Sequence, residues 1–118
     1  MARVLVIDDE VEQREAVQEM LESAGHEVIL AAGGMEGLAK HRQNPVDLIL
    51  VDLFMPEPDG FETMHLLRRE FPDVRIVAMS GKNFANTMLS VARRLGSVAV
   101  LAKPFTQDEL LMTVEKIV

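Results

Sequence analysis

The sequence predicts an α/β protein built on a doubly wound, five-stranded parallel sheet with helices on both faces. Short aliphatic runs alternate with helix-like patterns about five times along 118 residues. The runs are continuous rather than alternating, which means strands covered on both faces, as in a parallel sheet. Right-handed crossovers between parallel strands then restrict the topology to a doubly wound arrangement. Residues 1–118 read as one domain, with no repeat, linker or low-complexity tail, and the length suits a single hydrophobic core.

The first strand is RVLVID, Arg3–Asp8, followed by a helix with Val17, Met20, Leu21 and Ala24 at helical spacing and Gly25 closing it. HEVILAA, His26–Ala32, is the second strand, and GGMEGLAKHRQ after it is a helix diluted by glycine. DLILVD, Asp47–Asp52, is the third strand, and FETMHLLRREF the helix behind its loop. VRIVAMS, Val74–Ser80, is the fourth, followed by Phe84, Met88, Val91 and Leu95 on one helical face with Gly96 at its end. SVAVLAK, Ser97–Lys103, is the fifth. The last helix opens on Thr106-Gln-Asp-Glu109, where the threonine and glutamate can satisfy orphaned backbone N–H groups reciprocally. Leu110, Leu111, Val114, Ile117 and Val118 form its apolar face.

Composition narrows the function. There is no cysteine, so disulfides and thiolate metal sites are excluded. No apolar run approaches the ~18 residues of a membrane span, and no signal-peptide pattern precedes the first strand; a soluble, cytoplasmic protein is expected. The net charge of −7 disfavours direct nucleic-acid binding, which needs Lys and Arg at phosphates. A basic partner or a bound cation fits better. Gly33-Gly34-x-x-Gly37 lacks the spacing of a dinucleotide loop, and Gly81-Lys82 lacks the preceding glycine of a P-loop. His26, His41 and His65 read as separate solvated side chains.

In open parallel sheets the site lies outside the carboxyl ends of the strands. At those ends stand Asp8 and Asp9 (first strand), Asp52 (third), Ser80 (fourth) and Lys103 (fifth). Three carboxylates at one rim repel: at ~4 Å and an effective dielectric near 20, each like pair costs about 4 kcal/mol. Such a group survives by protonating one member or by holding a cation. All-oxygen ligation suits Mg2+, with Mn2+ as the alternative, and zinc poorly. A cation, an ammonium and a hydroxyl around one aspartate suit a phosphoryl group on that carboxylate, since phosphoryl transfer needs mainly positioning and charge neutralisation. Asp59 and Glu57 read as turn and helix-entry acids.

Asp8-Asp9-Glu10, the loop LVDLFMPEPDG, Ser80-Gly81 and Lys103-Pro104-Phe105 together resemble the receiver domain of two-component response regulators, over essentially the whole chain. The resemblance implies the flavodoxin-like strand order 2-1-3-4-5, for which the chemotaxis member of that family is a standard example. It implies that Asp52 is the phosphoacceptor, charged by a sensor histidine kinase, a phosphotransfer protein or a small phosphodonor. Asp8, Asp9 and Asp52, with the Phe54 backbone carbonyl, would hold Mg2+, and Ser80 and Lys103 would contact the phosphoryl oxygens. A cis peptide is expected at Lys103–Pro104, and Gly60 is a structural position where the loop enters its helix. The face of the fourth helix, fifth strand and fifth helix is the implied output surface, with Phe84, Met88, Arg93, Arg94 and Gln107 as contributors, toward an unnamed effector or a phosphorylation-dependent dimer. The chain is expected to be a stand-alone receiver or a piece of a longer regulator.

Two positions depart from the family pattern. Many receivers carry Tyr or Phe three residues before the lysine, where this chain has Val100, so a large aromatic switch is not available. Phe54, two residues past Asp52, can overhang the phosphoryl group and restrict attacking water. Phe54 and Lys82 are the two positions assigned to tuning the lifetime of the phosphorylated state, although Lys82 also reads as an ordinary loop charge. Two rival functions are a degenerate receiver that binds without phosphorylation and a Mg2+-dependent aspartyl phosphatase. The intact Asp8, Asp9, Asp52, Ser80 and Lys103 argue against the first. The absence of an acid at Phe54, two residues past the nucleophile, argues against the second.

Overall fold

The computed structural model describes residues 1–81 and 85–118. Lys82 and Phe84, given lifetime and output-face roles above, lie outside the described residues. Five strands, β1 (Arg3–Ile7), β2 (Glu27–Ala31), β3 (Leu48–Asp52), β4 (Ile76–Gly81) and β5 (Ser97–Lys103), alternate with five helices. The helices are α1 (Val11–Ser23), α2 (Gly34–Gln43), α3 (Gly60–Glu70), α4 (Ala85–Arg94) and α5 (Gln107–Ile117). All neighbouring strands pair in parallel, in the order β2-β1-β3-β4-β5. This is the flavodoxin-like order the resemblance implies.

The continuous aliphatic runs have the cause inferred for them. In β1 and β3, Val4, Val6, Leu48 and Leu50 point into one apolar layer with Val17, Leu21, Leu110 and Val114 of α1 and α5. The alternate residues Leu5, Ile7, Ile49 and Val51 point into the other, with Leu38, Met64, Leu67 and Ala92 of α2, α3 and α4. Coverage is not uniform, however. The outermost strands β2 and β5 are half-exposed along much of their length, and Val98 is exposed, because an edge strand has a neighbour on one side only.

Helix boundaries follow local chemistry. Asp59 caps α3 by accepting from the Glu62 N–H at 2.9 Å, and Gly25 and Gly96 end α1 and α4 at φ +89° and +98°. The glycines of α2 serve packing: a Cβ on Gly37 would lie 2.3 Å from Ile7 Cδ1, and one on Gly34 2.0 Å from Thr63 Oγ1. The capping box of α5 is formed in full, with Thr106 Oγ1 accepting from the Glu109 N–H at 3.1 Å and Glu109 from the Thr106 N–H at 2.9 Å. Thr106→Ala is expected to cost about 1 kcal/mol, measurable as a lower urea midpoint with unchanged slope; no change would mean the box is idle.

The histidines depart from expectation. His26 and His41 are buried, each accepting a backbone N–H on Nδ1, from Ala2 and Val46 respectively, both at 3.1 Å. His41 also meets the Phe71 ring edge-on at 4.4 Å, and burial holds its pKa below the usual histidine range. Only His65 is exposed as expected. No helix among the described residues is long and apolar enough to cross a membrane.

Candidate functional site

Parallel pairing brings the strand ends to one rim, and side-chain alternation decides which groups meet there. Leu50 and Val6 point to the α1/α5 side, so Asp52 and Asp8, two residues further along each strand, point the same way. Ile7 pairs with Val51, which puts Asp8 and Asp52 on adjacent tracks. On β5, Leu101 faces the same layer, and Lys103 follows it by two residues. Three residues scattered over 95 positions thereby converge: Lys103 Nζ lies 2.9 Å from Asp8 Oδ2 and 3.5 Å from Asp52 Oδ2.

Asp8 is fully buried, and its carboxylate is held at both oxygens, Oδ2 by Lys103 and Oδ1 by the Glu10 N–H at 3.0 Å. Asp52 is buried too, and its Oδ1 accepts from the Phe54 N–H at 3.3 Å. Asp9 is exposed. One carboxylate oxygen from each of the three lies within 4.8 Å of the others. Burial, with a further push from the Asp8 charge, raises the Asp52 pKa to about 6, against the opposing pull of Lys103 and the Phe54 N–H. One ammonium between two buried carboxylates therefore leaves the cluster short of positive charge. Its three oxygens, one on the solvent side, suit a hard divalent cation that keeps water in its shell.

Ser80 is fully buried on β4, and among the described residues its hydroxyl reaches only the Gly81 carbonyl, at 3.5 Å, a bond too long to hold it firmly. Gly81 pairs with Lys103 across the β4–β5 ladder, so the hydroxyl stands one residue from the lysine's rung. The Lys103–Pro104 peptide is cis, and so is Glu57–Pro58, which the sequence reading does not anticipate. Phe54 exposes 51% of its surface, and its ring meets Phe61 of α3 edge-on at 6.3 Å. Gly60, the first residue of α3, presses on the backbone of Asp52 and Leu53 and donates its N–H to the Leu53 carbonyl at 3.0 Å.

The residues assigned to an output face are divided. Arg93 and Arg94 are exposed, but Met88 is partly buried against the α2/α3/α4 layer, as is Val100. Gln107 reaches back to Ser23 at the end of α1, its Nε2 donating to the hydroxyl at 3.0 Å. Arg14, which no motif marks, donates from Nη1 to the Asp8 carbonyl at 2.8 Å. Its only sequence signal is its place, six residues past Asp8 in the helix that leaves the rim.

Comparison with known proteins agrees with this geometry. A family model described as the response regulator receiver domain matches residues 4–115. A response regulator receiver protein of Anaeromyxobacter sp. strain Fw109-5 is 37% identical over 94% of this chain, which spans 46% of that protein's length. Protein PilH of Pseudomonas aeruginosa is 31% identical, with 99% of this chain and 98% of PilH covered. Among solved structures, the chemotaxis protein CheY4 of Vibrio cholerae superposes with a TM-score of 0.93 at 32% identity, covering 100% of this chain and 99% of CheY4. The chain belongs to the response regulator receiver domain family of two-component signalling.

Proposed function

We propose that the chain is a phosphorylation-activated switch in which Asp52 accepts a phosphoryl group and the acyl phosphate biases a partner-binding surface. The observation that carries this reading is the Asp52 carboxylate itself: nearly buried, short of positive charge and 3.5 Å from a lysine ammonium. An Asp52 Oδ lone pair attacks the donor phosphorus in line. The P–N bond of a phosphohistidine, or the P–O bond of acetyl phosphate, breaks with its electrons going to the leaving group, and a C–O–P linkage forms on Asp52. Lys103 Nζ is within reach of the new phosphoryl oxygens, and the loosely held Ser80 hydroxyl is free to donate to another.

The acidic cluster fits a divalent cation, Mg2+ with Mn2+ as the alternative, held by Asp8, Asp9, Asp52 and the Phe54 carbonyl. When bound, it supplies charge neutralisation between the carboxylates and the incoming phosphoryl oxygens. A sensor histidine kinase, a phosphotransfer protein or a small phosphodonor would supply the phosphoryl group. The output face formed by α4, β5 and α5 would engage an effector or a second phosphorylated copy, with Arg93 and Arg94 as its exposed cations. For that face to respond, the phosphoryl group must bind one conformation better than the other. Val100 leaves this coupling without an aromatic ring.

Incubation with acetyl phosphate in Mg2+ or EDTA, read by intact mass and phosphate release, tests the reading. A single phosphoryl adduct formed only in Mg2+ is expected. Continuous phosphate release without an adduct would instead indicate a phosphatase, and neither signal a receiver that binds without phosphorylation. Within the same chemistry, the Phe54 ring, anchored edge-on to Phe61, restricts the approach of water to the acyl phosphate. Phe54→Asn is expected to dephosphorylate at least severalfold faster; an equal or slower rate removes the ring from the mechanism.

A further inference from the structure

The turn after β1 is anchored at nearly every polar atom of Asp8. Its N–H donates to the Ala31 carbonyl at 3.1 Å, and its two carboxylate oxygens accept from Glu10 N–H and Lys103 Nζ. The remaining polar atom, the Asp8 carbonyl, accepts from Arg14 Nη1 at 2.8 Å in a half-buried contact. Asp9 differs from its neighbour: it is exposed, and among the described residues its carboxylate has no hydrogen-bond or ion-pair partner. The aim of that carboxylate depends on the peptide plane joining it to Asp8, the plane whose carbonyl Arg14 holds.

We propose that Arg14 is a positioning residue for the cation site, fixing the Asp8–Asp9 peptide and so aiming the Asp9 carboxylate at the centre shared with Asp8 and Asp52. The inference rests on reading those three aspartates as cation ligands. It carries a sign that distinguishes it from simple electrostatics. A guanidinium beside a cation site repels the cation, so its removal by charge alone would tighten binding. Removal of an anchor loosens the ligand and weakens binding.

The test is direct cation binding without turnover, with Mn2+ followed by the loss of its free electron paramagnetic resonance signal. Wild type, Arg14→Met, Arg14→Lys and the distant Thr106→Ala are compared at a temperature where all are folded. Arg14→Met is expected to bind Mn2+ at least fivefold more weakly than wild type, with Thr106→Ala unchanged and the Glu10 amide of metal-free Arg14→Met exchanging faster with solvent. Equal or tighter binding by Arg14→Met overturns the proposal. Should that variant fail to fold, Arg14→Lys decides alone: it keeps the charge but loses the guanidinium's reach, so weaker binding supports positioning and wild-type affinity overturns it. If wild type itself binds no Mn2+, the ligand assignment fails instead, a result distinguishable from the failure of Arg14.

Discussion

Asp52→Asn is expected to abolish the phosphoryl adduct with acetyl phosphate and, in EDTA at neutral pH, to make the protein more stable. The loss of the adduct follows from removing the nucleophilic oxygen. The gain in stability follows from the cost of a buried carboxylate. Burial raises the Asp52 pKa to about 6, even with Lys103 Nζ 3.5 Å away. A shift of this size from the ordinary aspartate value corresponds to about 3 kcal/mol. The folded protein binds this proton more tightly than the unfolded chain does. The cost is therefore absent below about pH 4, grows as pH rises to about 6, and is fully present above that. Asparagine carries no charge and avoids it. Thermal melts in EDTA should show the variant on the order of 10 °C above wild type at pH 7.5, with the gap closing by pH 4. Mg2+ should narrow the gap at pH 7.5 by stabilising wild type more. A variant no more stable than wild type at neutral pH would mean that Lys103 already neutralises the cluster.

What the sequence made legible depended on whether the determining contacts are local or periodic. The aliphatic runs of β1, β3 and β4 were readable because both faces are buried, and the capping box of α5 because Thr106 and Glu109 act over three residues. The meeting of Asp8, Asp52 and Lys103 was readable because a parallel sheet sends every strand end to one rim. Contacts made by chance of packing left no such mark. His41 looks like a surface residue on α2 until the Val46 N–H and the Phe71 ring close over it. Gly34 and Gly37 look like weak helix formers until Thr63 and Ile7 are seen pressing on them. Arg14 looks like a solvated charge until the Asp8 carbonyl is found beneath it. In each case the partner comes from a distant element or across a turn, and no pattern in the residue's own neighbourhood encodes it. Met88 is intermediate, partly packed against the α2/α3/α4 layer, since a residue on the rim of a helix face can pack inward or outward with the same spacing.

The second large effect is expected at Gly60, where packing and site chemistry are the same contact. A Cβ there would lie 2.2 Å from the Asp52 carbonyl oxygen and 2.4 Å from Leu53 Cα. Both are backbone atoms of the segment that carries Asp52, the proposed phosphoacceptor, so no side chain can rotate aside to make room. Either α3 lifts away from β3 or the Asp52–Leu53 peptide shifts. Overpacking of this kind costs about 3 kcal/mol, and Gly60→Ala should melt on the order of 10 °C lower. Lifting the helix would also strain the Gly60 N–H bond to the Leu53 carbonyl, 3.0 Å long in the native protein. The chemical consequence separates the two responses. A displaced Asp52 misaligns in-line attack, for which an error near 1 Å can cost about a hundredfold. Phosphorylation by acetyl phosphate, measured well below the melting temperature, should therefore slow at least tenfold in Gly60→Ala. Gly33→Ala is the control, because a Cβ at Gly33 meets nothing within 4 Å and its backbone is extended at φ −165°. That variant should lose no more than about 1 kcal/mol as a helix cap and keep its phosphorylation rate. A destabilised Gly60→Ala that still phosphorylates at the wild-type rate would show that α3 yields and the Asp52 backbone does not.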